Sequence, residues 1–127
     1  MDPVVHFEMP AEDRGRMVAF YSKVFGWQTK QLGPEMGDFV TVNTTESENN
    51  VPKKSGIING GFYQKRDDVA QTTTVTIQVD DIRAYREKIV SAGGKISGEI
   101  MDMPNIGSFL SFFDTEGNRV NLIQPTR

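Results

Sequence analysis

The stretch Thr74 to Lys95, TVTIQVDDIRAYREKIVSAGGK, changes its hydrophobic period halfway along, and that change decides the fold. Val75, Ile77 and Val79 alternate with Thr74, Thr76 and Gln78, the period of a strand with one apolar face. After Asp80-Asp81, Ile82, Tyr85, Ile89 and Ala92 recur at helical spacing, and Gly93-Gly94 close the run. The stretch therefore predicts a strand followed by an amphipathic helix. The same plan stands near the N-terminus in VVHFEMPAEDRGRMVAFYSKVFGW, residues 4–27, at an offset of 68 residues. There Val5, Phe7 and Met9 alternate with His6 and Glu8. Glu12-Asp13 open a helix, Met17, Phe20, Tyr21 and Val24 form its stripe, and Gly26 ends it. His6 and Thr74 occupy equivalent positions, as do Gly26 and Gly94.

Each strand-helix pair is followed by three more strand-like runs. In the first half these are about 28–32, 39–44 and 56–63, and in the second about 95–101, 108–113 and 119–124. Two copies of one βαβββ unit account for the chain better than one irregular arrangement. We expect an α+β fold in a single domain over 1–127, with module one at about 1–64 and module two at about 72–127. The polar run QKRDDVAQ (64–71) connects the copies, TESENNVPKKSG (45–56) is a long polar loop inside the first, and DTEGN (114–118) is a hairpin turn with Gly117 or Asn118 at positive φ.

Composition narrows the function. The chain has no cysteine, which removes disulfides, thiolate metal sites and a cysteine nucleophile and favours a reducing compartment, so a cytoplasmic location is expected. No basic-then-apolar leader and no long apolar run occur, so no membrane partner is expected. A formal net charge of -3, with Lys and Arg scattered among acids, argues against nucleic acid and mildly favours neutral or cationic ligands.

Three segments, VHFEMPAEDRGRMVAFYSKVFGW, TIQVDDIRAYREKIVSAGGKI and FFDTEGNRVNLIQP, by their order and spacing resemble the vicinal oxygen chelate superfamily, which groups glyoxalase I, bleomycin resistance proteins and extradiol dioxygenases. The resemblance implies that the two modules curve into a partly closed mixed sheet with helices outside and a concave groove inside. It also implies a divalent metal held by side chains on the first and last strands of each module. Those positions fall on His6, Asn59, Thr74 and Asn121. Three of the four are neutral oxygen donors of low affinity for zinc or nickel, so the metal site is expected to be degenerate and no cofactor is expected; a divalent metal is the alternative.

The polar strand faces make His6, Glu8, Asn59, Tyr63, Thr74, Thr76, Gln78 and Asn121 the expected ligand-binding residues. Among the aromatics, Trp27, Phe62, Tyr63, Phe109, Phe112 and Phe113, alternation lets about half face that surface, and Arg119 shares a face with Asn121. The expected function is metal-independent binding of a small molecule, like bleomycin resistance protein, in a homodimer. The alternative is a glyoxalase-like lyase, isomerase or dioxygenase using His6 as a catalytic base, with or without a metal.

Overall fold

The computed structural model describes residues 1–67 and 71–126; residues 68–70 of the expected connection lie outside the described residues. The chain divides into two compact units, one of His6–Thr73 and one running from Thr74 onward together with Met1–Val5. Each contributes one α-helix and four strands of mixed sheet, and the first unit adds a two-stranded hairpin, so the fold is α+β and built from two βαβββ modules.

In the first unit the elements run β1 (Val4–Ala11), α1 (Arg14–Phe25), β2 (Gln28–Gln31), a 3-10 turn (Pro34–Met36), β3 (Val40–Asn43), the short strands β4 (Ser47–Glu48) and β5 (Val51–Pro52), and β6 (Asn59–Gln64). The sheet order is β2-β3-β6-β1, with β1 parallel to β6 and the other pairs antiparallel. Asp13 caps α1 by accepting from Arg16 N at 3.0 Å, and Gly26 ends it in the left-handed conformation at φ 71.

The apolar stripe of α1 differs from the expected one. Met17, Val18 and Tyr21 pack on the sheet, whereas Phe20 and Val24 stay 55% exposed. The cause is Trp27. Its ring stacks on Tyr21 at 4.7 Å and 9° and sits 5.6 Å from Phe7, which turns the helix toward that aromatic cluster. Beneath lie Val40, Val42 and Phe62, all fully buried. Trp27 and Phe62 are thus core aromatics. Gly60 admits this packing, because a Cβ there would lie 2.3 Å from the Phe7 carbonyl oxygen and 2.8 Å from the Phe7 ring.

The loop expected over 45–56 contains a small hairpin. Asn49 and Asn50 take φ of 51 and 64, and Ser47 and Glu48 pair with Pro52 and Val51. Two consecutive left-handed residues make the tight turn that joins such strands, and Asn tolerates that conformation better than other side chains.

In the second unit β7 (Thr74–Gln78), α2 (Ile82–Ser91), β8 (Lys95–Met103), β9 (Gly107–Phe113) and β10 (Arg119–Pro125) follow in chain order, and the sheet order is β7-β10-β9-β8. Strands β7 and β10 are parallel and the others antiparallel. Asp81 caps α2 through Ala84 N at 3.2 Å. The left-handed residue at its end is Gly93, at φ 99, while Gly94 serves packing: a Cβ on it would meet Ile89 Cγ2 at 2.6 Å. Ile82, Val79, Leu110 and Leu122 are the buried core, with Ile77, Tyr85, Ile89, Ile96 and Phe112 against them.

The first residues join this unit. Pro3 O accepts from Gln78 N at 2.9 Å and the Tyr85 hydroxyl donates to Asp2 at 2.7 Å. Between β9 and β10, Asp114 accepts from Glu116 N, Asn118 N and Asn118 Nδ2, and Gly117 takes φ 83. These bonds, the Asn118 side chain's first, hold the Asp114 carboxyl below its ordinary pKa. Among the described residues no helix is long and apolar enough to cross a membrane.

Candidate functional site

Strand alternation sends one set of side chains toward each helix and the other set to the opposite face of its sheet. In module one Phe7, Met9 and Phe62 face α1, so His6, Glu8, Asn59, Gly61 and Tyr63 share the opposite face. His6 lies directly beside Asn59 across the parallel β1/β6 pair, and Glu8 beside Gly61. Gly61 leaves a slot that the Phe39 ring fills, since a Cβ at Gly61 would approach Phe39 Cζ to 2.0 Å. An aromatic floor thus adjoins Glu8 and Tyr63. No periodic signal pointed to Phe39; the doublet Gly60-Gly61, one glycine serving a ring on each face, was the available clue.

Asn59 is 2% exposed and its amide is fully engaged. Oδ1 accepts from Thr44 N at 2.8 Å, while Nδ2 donates to Ser47 Oγ at 2.8 Å and to Asn50 O at 3.0 Å. Asn59 therefore fastens the β4–β5 hairpin to β6. The Tyr63 hydroxyl donates to Thr72 O at 2.9 Å.

In module two Ile77, Val79, Leu122 and Phe112 face α2, which leaves Thr74, Thr76 and Gln78 of β7 on the opposite face with Asn121 and Arg119 of β10. Thr76, Asn121, Ser111 and Ser97 form one continuous polar row across the four strands. Asn121 Nδ2 donates to Thr74 Oγ1 at 2.8 Å, and Ser111 Oγ donates to Asn121 Oδ1 at 2.8 Å. Thr74, Thr76 and Asn121 are buried and Gln78 is exposed. Thr76 Oγ1 is buried with no hydrogen-bond partner, as is Arg119 Nε.

The two asparagines differ in register. Asn59 pairs with His6 itself, whereas Asn121 pairs with Thr76, two residues beyond the position equivalent to His6. Counted by strand pairing, the module-two counterpart of Asn59 is Arg119. Sequence spacing alone hid this, because the turns before β6 and β10 differ in length.

Among the described residues no three of His, Asp and Glu gather into a group able to hold a metal ion. Module one offers one imidazole and, two residues on along the face, the Glu8 carboxylate, beside an amide that is already committed, and module two a hydroxyl and an amide bonded to one another. A tightly held divalent transition metal needs imidazole, carboxylate or thiolate donors in larger number. These residues do not fit one.

His6 is half-buried, and burial lowers its pKa below the ordinary histidine value, so the imidazole is neutral at pH 7. The unfolded chain binds a proton at a pH where the folded chain does not. Stability is then complete above the unfolded value near 6.5 and is lost as pH falls from there through the folded value. Because His6 is the single histidine, His6→Gln is expected to flatten the stability change between about pH 7.5 and 5.5. Urea midpoints taken across that range check it; an unaltered pH dependence in the variant contradicts it.

The model of the Glyoxalase/Bleomycin resistance protein/Dioxygenase superfamily matches residues 4–122. A "Glyoxylase-like domain-containing protein" of Didymella fabae is 30% identical over 113 residues, covering 87% of this chain and 84% of its own. Solved structures share the fold at low identity. A hypothetical protein from Bacillus halodurans superposes with TM-score 0.70 at 8% identity, covering 99% of this chain and 96% of its own. Methylmalonyl-CoA epimerase from Mycobacterium tuberculosis superposes with TM-score 0.68 at 13% identity, with coverages of 98% and 88%.

Proposed function

The chain belongs to the glyoxalase/bleomycin resistance protein/dioxygenase superfamily, and from that premise we propose that it binds a small organic molecule without a divalent metal. The residues proposed to meet the ligand are those of the polar sheet faces, His6, Glu8, Asn59 and Tyr63 in module one and Thr74, Thr76, Gln78 and Asn121 in module two. One observation carries the reading: these faces keep their polar side chains while three of their four would-be metal donors, Asn59, Thr74 and Asn121, are spent on one another and on a hairpin. Asn59 and Asn121 shape the faces from below. The half-buried His6, Glu8 and Tyr63 meet the ligand.

A second reading has its own support. Burial keeps the His6 imidazole neutral and able to accept a proton at pH 7, and Glu8 follows two residues on along the same face. That arrangement suits a metal-free lyase or isomerase, and the M. tuberculosis epimerase with the same fold is an enzyme.

A thermal-shift screen of chelator-treated protein, followed by calorimetry on a hit, separates the two. His6→Ala is expected to weaken binding by about 1 to 1.5 kcal/mol at most, the scale of one hydrogen bond. Turnover that falls a hundredfold or more in His6→Ala at unchanged affinity would instead establish catalysis. We also propose a homodimer, supported by the outward Phe20, Val24 and Phe25 of α1, which are 55–61% exposed; light scattering on the same sample is expected to give twice 14.2 kDa, and the single-chain mass would refute it.

A further inference from the structure

The polar face of module two carries a second row beside the Thr76–Asn121–Ser111–Ser97 row. Arg119 pairs with Phe113, and Phe113 pairs with Lys95, so the three side chains stand in line on one face. Directly opposed residues in a sheet have Cβ atoms about 5 Å apart, so Arg119 and Lys95 leave the sheet about 10 Å from one another with Phe113 between them.

Among the described residues no carboxylate forms an ion pair with Arg119 or Lys95. Arg119 donates one long bond, Nη2 to Ser111 Oγ at 3.3 Å, and its buried Nε has no partner. No in-register position on this face of β7, β8, β9 or β10 is acidic, and Glu99 falls in the irregular stretch between Ser97 and Met101. Asp102 pairs with Ser108, on the other face. In a chain of net charge -3, Arg119 and Lys95 are thus the only charged residues at the in-register positions of this face of β7–β10.

We propose that this row binds the carboxylate of an anionic ligand with a flat apolar body. The planar guanidinium of Arg119 is half-buried with no acid beside it among the described residues, and its fork of donors matches a carboxylate two bonds at a time. Lys95, exposed at the edge strand, draws the anion in from solution, and the half-buried Phe113 ring receives the apolar part. This site deepens the small-molecule reading above and rests on it. It also reverses the preference for neutral or cationic ligands that net charge suggested.

The test is an NMR titration of the full chain with benzoate, benzamide and inorganic phosphate at low salt. Benzoate is expected to shift the backbone amides around Phe113 and Arg119 and to saturate at millimolar concentration, while benzamide leaves them unmoved. Lys95→Gln, a surface change that leaves the fold intact, is expected to weaken benzoate about threefold to tenfold, and Arg119→Gln more. Phosphate binding tighter than benzoate would replace the carboxylate by a phosphoryl group and overturn the assignment. Equal binding of benzoate and benzamide, insensitive to both variants, would overturn the anion site while leaving the small-molecule reading intact. Absence of any benzoate shift at this face would also overturn it, and the broader ligand screen decides the small-molecule reading separately.

Discussion

Phe62→Ala is expected to destabilise the protein by about 3 to 5 kcal/mol, the usual cost of removing a fully buried ring whose cavity cannot close. Phe62 has no exposure, lies among Val40 and Val42, and sits 5.5 Å from the Tyr21 ring that stacks on Trp27. Its removal strips α1 of its main support on the sheet. Urea denaturation reads the change as a lower midpoint at unchanged slope. Phe20→Ala on the outward side of the same helix provides the comparison and is expected to cost less than about 1 kcal/mol. Similar losses from both variants would refute the packing described for module one.

Asn59→Ala has the second largest expected effect, about 2 to 3 kcal/mol, because three partners lose their bonds at once and the Thr44 N–H and Asn50 carbonyl are left beneath the hairpin. The loss is local as well as global. Hydrogen exchange at the Thr44 amide is expected to quicken about a hundredfold relative to amides of β3, the rate equivalent of that free energy if the hairpin detaches. Unchanged Thr44 protection in the variant would mean that Asn59 does not hold the hairpin, and would free its amide for a ligand.

Asn59 also illustrates how far the site could be read from sequence. The two-fold repeat was legible because strand and helix periods are local: the 68-residue offset joining His6 to Thr74 is matched by caps at Asp13 and Asp81 and by the strands that follow each helix. The position of Asn59 on the last strand of module one was legible too, and its pairing with His6 agrees with it. What the amide does there was not, since its partners Thr44, Ser47 and Asn50 lie in a loop whose path depends on two left-handed asparagines. Arg119 was legible as a neighbour of Asn121 on one face, but its equivalence to Asn59 was hidden for a different reason. Equivalence between modules was counted along the chain, and strand pairing shifts the count by two residues, exchanging an amide for a guanidinium. Phe20 and Val24 mark a third limit. Helical spacing identifies an apolar stripe but not which side of it the sheet will cover, and Trp27 decides that through contacts far from the helix pattern.

The central claim is ligand binding without a divalent metal, and the most direct measurement is the affinity of one screened ligand, by calorimetry, for chelator-treated protein before and after addition of zinc, nickel or manganese. Elemental analysis of the same preparation before chelation accompanies it. The account predicts less than a stoichiometric amount of metal per chain and an affinity that changes by no more than about twofold, or about 0.4 kcal/mol, on metal addition. A full equivalent of metal retained through purification, or binding that appears only when the metal is restored, would contradict it.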